Sequence, residues 1–181
     1  IAVTLEADGT VRHLNKIHSF VTGPRSPAAA AACAALGPVL GKGGFDSRLS
    51  DDIEQDMWEK WVFLCSMAAM CCLIRGNVGQ IVRASPDGAG LMLEMLEDCS
   101  AAAAAAGHAP REAHRANSRK QFTDPQGTWE ASMLRDLRRG SQVEADHVVG
   151  DMLARATAAG RPATLLKAAY ANLKVYEAGR G

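Results

Sequence analysis

Trp61-Val62-Phe63-Leu64-Cys65-Ser66-Met67-Ala68-Ala69-Met70-Cys71-Cys72-Leu73-Ile74 (residues 61–74) carries no charge and no polar side at any helical spacing. A helix with no polar face is buried on every side. Ser50-Asp51-Asp52 opens this helix with a cap residue and with acids near the positive end of its dipole, and Arg75-Gly76 stops it. The segment therefore reads as the central post of a helical domain. Its apolar run is too short for a membrane span of about 20 residues, and nothing upstream reads as a signal peptide.

Downstream, the pattern stays helical. Gly76 to Ile81 reads as a turn, and Ser85-Pro86-Asp87 starts a helix with Leu91, Met92, Met95, Leu96 and Cys99 at helical spacing. This Met-rich stripe reads as core, and Ala101 to Ala106 leads into a stop at Gly107. Asp124-Pro125-Gln126-Gly127 is a turn. Gly140 and Ser141 then break Ser132 to Gly150 into a short helix and the start of a longer one, which buries Ala145, Val148, Val149, Met152 and Ala156. After Gly160-Arg161-Pro162, a last helix buries Leu165, Leu166, Ala169, Leu173 and Tyr176. Residues 50–181 are expected to form one mainly α domain.

The first 49 residues differ. Ala2 to Leu5 and Thr10 to Leu14 flank a tight Asp8-Gly9 hairpin, Ile17 to Thr22 is a third strand, and Ser26-Pro27 caps an Ala-rich helix to Leu36. Three strands and a helix leave unpaired sheet edges. With Ile1 rather than Met opening in mid-pattern, residues 1–49 read as the tail of a larger α/β domain, cut by design or proteolysis. Gly41-Lys42-Gly43-Gly44 lacks the G-x-G-x-x-G spacing and follows a helix, so it reads as a flexible connection.

Composition limits the function. The 181 residues are 48% hydrophobic, enough for one substantial core, and 20 basic residues balance 20 acidic ones. No global field favours nucleic acid or an anionic membrane. Arg111, Arg115, Arg119 and Lys120, with His114, line one helical side without interleaved aromatics; they read as a solvated face or as a site for a phosphate or carboxylate. Cys33, Cys65, Cys71, Cys72 and Cys99 show no zinc spacing, so no metal is expected, and they read as thiols of a reducing cytoplasm.

Four residues invite a chemical reading beside a structural one. Ser132 and Glu144, either side of the Gly140 break, can converge on one pocket; Ser141 and Glu144 equally fit an S-x-x-E capping box, and Ser132 a helix cap. Lys60 stands where the polar start of the central helix meets its apolar part. Partial burial there would ease proton transfer, and an ion pair with Asp56 one turn earlier is the structural alternative. His147, one turn beyond Glu144, can tune that carboxylate or simply face solvent.

The wording S-M-L-x-D-L-x-x-G-x-x-V-E-x-D-x-x-x-G from Ser132 to Gly150, and D-I-x-x-x-x-W-x-K from Asp52 to Lys60, resembles the C-terminal domain of ketopantoate reductases (2-dehydropantoate 2-reductases). The resemblance is good over residues 50–178 and loose before. It implies a helical domain of the 6-phosphogluconate dehydrogenase C-terminal-like type after the end of a Rossmann domain. It also implies NADPH-dependent reduction of a 2-keto acid, with Lys60 protonating the carbonyl oxygen and Ser132 and Glu144 holding the substrate. The chain departs from the family at Leu64 and Ala68, where Asn is usual.

The cofactor fingerprint would lie upstream, so no cofactor-binding residue is assigned and this chain alone is expected to be inactive. The partners expected are a small 2-keto acid, the missing Rossmann domain and a second copy in a homodimer, with no nucleic acid and no membrane. The alternative from another class is a non-catalytic helical dimerisation or binding module, in which Leu64 and Ala68 mark lost catalysis.

Overall fold

The structure is a computed structural model that describes residues 2–180, so Ile1, where the first strand-like run opens, lies outside it. The chain forms two compact units, Ile1–Asp56 and Met57–Gly181.

In the first unit β1 (Val3–Leu5) pairs antiparallel with β2 (Val11–His13). Gly9 turns the hairpin at φ +86, and Asp8 accepts the Thr10 amide at 2.9 Å. The next strand, β3 (Ser19–Thr22), pairs in parallel with β4 (Asp46–Leu49), Ser19 opposite Asp46. Parallel neighbours need a crossover, which is α1 (Pro27–Leu40). Strand β4 was not legible in the pattern, because Asp46-Ser47-Arg48-Leu49 is short and polar. Helix α1 continues past Leu36 to Leu40, and the Gly41 amide closes its last turn on the Gly37 carbonyl at 3.0 Å.

The long helix α2 (Ile53–Ile74) begins where Asp52 Oδ1 accepts the Gln55 amide at 3.0 Å. It is long and apolar enough, by length and composition, to cross a membrane, but 56% of its apolar window is buried inside the fold, as in a core helix. In the second unit Val62, Cys65, Ala69, Met70, Cys71 and Cys72 are fully buried. The helix is not buried all round, however: Met57, Lys60 and Leu64 stay exposed on one side.

Around α2 lie α3 (Val78–Ala84), α4 (Gly88–Ala105), α5 (Glu112–Phe122), α6 (Ser132–Arg138), a π-helical segment (Ala145–Gly150), α7 (Asp151–Ala158) and α8 (Thr164–Ala178). The stretch read as a turn at 76–81 is thus mostly helix. Asn77 caps it in a complete capping box, its Oδ1 accepting the Gln80 amide and its own amide donating to Gln80 Oε1, both at 2.9 Å. Helix α4 starts hard against α3, and a Cβ on Gly88 would run into the Ile81 carbonyl. Met92, Met95, Cys99, Ala102 and Ala103 of α4 join Met152, Ala156, Leu166, Ala169 and Leu173 in the core, and Phe122 stacks on Phe63 at 4.8 Å. The expected Met-rich stripe is core: Met92, Met95, Leu96 and Cys99 are all buried.

Candidate active site

Two consecutive residues of α2 divide structure from surface. Glu59 is 6% exposed. Arg111, at the head of α5, grips it from three positions: the backbone amide and Nε donate to Oε1 at 2.8 Å each, and a terminal nitrogen to Oε2 at 2.6 Å. Lys60, a hundred degrees further round the helix, is exposed beside Met57 and Leu64. The partial burial expected for Lys60 is therefore not found within this chain. Asp56, read as its ion-pair partner, binds Arg48 at 2.7 Å and Ser50 Oγ at 2.6 Å.

The basic stripe is likewise committed to carboxylates of its own chain. Arg115 and Arg119 hold Glu97 at 3.2 and 2.8 Å, as Arg111 holds Glu59. Those partners lie 18 to 52 residues away in sequence, beyond any local pattern. His114 sits 3.9 Å from Glu59. Burial pushes its imidazole below the ordinary 6.5, Glu59 draws it up and Arg111 down.

A histidine held neutral in the fold takes a proton more readily once unfolded. Its contribution to stability is complete above about pH 6.5 and is lost as pH falls from there through the lowered folded value. His114→Gln is expected to flatten that part of the stability curve, measured by urea unfolding between about pH 5 and 7. A slope unchanged by the substitution would show that other groups set it.

The indole of Trp61, next after Lys60, donates to the Val148 carbonyl at 3.1 Å and so ties α2 to the π-helical segment. Trp58 stacks on His108 at 4.9 Å, and the Arg155 guanidinium lies over Trp58 and Trp61 at 5.1 and 5.5 Å. Further along α2, Cys71 returns to the Lys60 side, eleven residues or about 16 Å along the axis. Burial raises its thiol, and the Ala131 backbone, immediately before Ser132, draws it back down. One face of α2 thus runs from Lys60 through Leu64 and Ala68 to the head of α6.

Most of the Ser132–Gly150 motif has a structural task. Met133, Leu134, Leu137 and Val143 are buried. Gly140 turns the chain at φ +71, and the Asp136 carbonyl accepts the Ser141 amide at 2.8 Å. Asp146 accepts from Tyr170 Oη at 2.6 Å and from Lys174 at 3.2 Å; the tyrosine bond first, then the lysine, holds its carboxyl below the usual range. Gly150 makes room for the Tyr170 ring, which a Cβ there would approach to 2.9 Å.

Ser132 and Glu144 are the exceptions. Both are exposed. Ala131 is the cap of α6, so Ser132 is not, and neither helix start has a side-chain cap bond. The Ser141–Glu144 capping box does not form; the Ser141 carbonyl accepts from Tyr176 Oη at 2.6 Å instead. Glu144 breaks from helical geometry at φ −93, ψ 47, and its carbonyl receives the Val148 amide at 3.0 Å. His147 is exposed on the same segment. No hydrogen bond joins Lys60, Ser132 and Glu144 to one another among the described residues.

Sequence reading missed Tyr170 and the π-helix, a geometry that often re-aims side chains at functional sites. The three thiols of α2 are not candidates. Burial raises Cys71 to about 11 and Cys72 to about 12, and the Cys99 contact followed by burial raises Cys65. Among the described residues no group of three or more His, Cys, Asp or Glu could hold a metal.

Residues 52–177 match the family model described as ketopantoate reductase PanE/ApbA C terminal. An uncharacterised oxidoreductase of Bacillus subtilis strain 168, YkpB, is 26% identical over 178 residues, 98% of this chain and 58% of that protein. A PanE/ApbA family ketopantoate reductase from Ralstonia eutropha JMP134 superposes with a TM-score of 0.82 at 24% identity, covering 99% of this chain and 58% of that one. D-mandelate dehydrogenase bound to NADH and anilino(oxo)acetate gives 0.83 at 18% identity, with the same coverage. The chain thus spans 58% of the length of these relatives. With a mainly helical fold matching its model over most of the length, the chain belongs to the ketopantoate reductase family.

Proposed function

We propose that the whole protein carrying this chain is a cytoplasmic NADPH-dependent reductase of a 2-keto acid, 2-dehydropantoate or a related one, working as a homodimer. In this reading residues 1–49 end its Rossmann domain and residues 50–181 form the substrate-binding and dimerisation domain. The observation that carries the reading is the division of labour in the motif: its other named residues pack or turn the chain, while Ser132 and Glu144 stand exposed without such a task. Lys60, exposed on the α2 face that leads to the head of α6, completes the set.

The nicotinamide would supply hydride. Residues of this chain do not fit its phosphates: Gly41–Gly44 follows α1 and leads into β4, the reverse of the strand-to-helix turn that places a pyrophosphate at a helix N-terminus. The chain's own part is proton transfer and positioning. The Lys60 ammonium donates to the ketone oxygen and gives it a proton as charge develops there. Ser132 Oγ–H can donate to the substrate carboxylate. Glu144 only accepts, and suits the hydroxyl formed at the reduced carbon.

The test is oxidation of NADPH and of NADH by the purified whole protein with a panel of 2-keto acids. Turnover is expected, with Ser132→Ala raising KM about tenfold for one lost charge-assisted hydrogen bond. A folded protein that oxidises neither cofactor with any acid would leave a helical binding module.

A further inference from the structure

We infer that the substrate's side chain is apolar, a branched or aromatic 2-keto acid, and that Leu64 and Met57 select it. This inference rests on the reductase reading and deepens it. At 100° per residue, Met57 and Leu64 fall on the flank of Lys60 that turns toward Trp61, one helical turn before and after the ammonium. Both are large and open, 53% and 40% exposed, on a helix most of whose other apolar residues are buried or half-buried. Trp61 on the same flank is fixed by Val148, one turn from Glu144, so this flank of α2 is the one that faces the segment carrying Glu144. The position one turn beyond Leu64 is Ala68, which is buried and adds no polar group.

The occupant follows from charge and polarity together. The ammonium meets the polar end of a 2-keto acid, its ketone oxygen and carboxylate, and whatever the acid carries beyond them meets Leu64 and Met57. A hydroxyl placed there gives up its water and gains no partner, whereas a methyl or phenyl group gains contact. Hydrophobic surfaces reject an added hydroxyl by roughly a hundredfold, and each methylene they accept is worth about tenfold or more.

The experiment is kcat/KM of the whole protein for 4-methyl-2-oxopentanoate and phenylglyoxylate against hydroxylated 2-dehydropantoate, in the parent, Leu64→Asn and Met57→Gln forms. The parent is expected to favour the apolar acids by about tenfold or more, and Leu64→Asn to shift the ratio toward 2-dehydropantoate by at least about tenfold, with Met57→Gln shifting it the same way. Since both side chains are exposed, thermal midpoints should stay near the parent's. A parent that prefers 2-dehydropantoate overturns the inference and leaves the reductase reading standing. So does a ratio that Leu64→Asn does not move, including the case in which it lowers stability because another domain or subunit covers Leu64. Absence of turnover with every acid overturns both.

Discussion

Lys60→Ala in the whole protein should lower kcat for 2-keto acid reduction by about 10²–10⁴-fold, the usual contribution of a positioned acid or base. It should leave stability within roughly 0.5 kcal/mol, because Lys60 is exposed and the neighbouring core contacts belong to Glu59 and Val62. That separation makes the result informative. A lysine whose stem supports the fold loses midpoint and activity together; one that serves the reaction loses activity alone. Lys60→Arg sharpens the test, since guanidinium keeps the charge but does not release its proton in the working range. If arginine restores full turnover, Lys60 acts by charge alone. If alanine keeps turnover within about twofold, Lys60 is not the acid, and the reductase reading loses its reacting residue.

The fold was legible wherever a segment buries a face by local repetition. Helices α2, α4, α7 and α8 follow apolar spacing that needs no knowledge of their neighbours. Strand β4 was not, because its reason to be extended is β3, reached through α1. Residues 76–81 read as a turn by their local residues, yet Gly79 is required in helix α3: a Cβ there would come within 2.7 Å of the Gly127 carbonyl. Tertiary approach overrode local propensity.

Of the candidate site, the sequence could propose residues but not their arrangement. Lys60, Ser132 and Glu144 came from motif wording, and the Ser141–Glu144 capping box that competed for Glu144 does not form. What ties the segment after Glu144 to α8 is distributed over Asp146, Gly150, Tyr170 and Lys174, and local spacing could not join them. The arginine stripe misled for a related reason. Four cations on one helical side resemble an anion site until distant carboxylates occupy three of them.

Arg111→Ala should destabilise the chain by roughly 2–3 kcal/mol. Removing one member of a buried ion pair costs about 3–5 kcal/mol, because the other charge stays behind without compensation. Glu59 is that other charge, nearly buried, with two side-chain bonds from the guanidinium. The cost falls below the usual range because the Arg111 side chain is 51% exposed, so water can enter where it stood and the backbone amide still donates. Urea unfolding should show a lower midpoint with an unchanged slope. Adding Glu59→Gln to Arg111→Ala should recover a good part of the loss, since it removes the stranded charge. A single variant within about 0.5 kcal/mol of the parent would place the pair among ordinary surface contacts. The effect should reach the site as well: Glu59 and Lys60 share a peptide bond, so the clamp that pins α2 to the head of α5 also sets where the Lys60 ammonium points. Loss of turnover beyond the fraction unfolded would measure that second contribution.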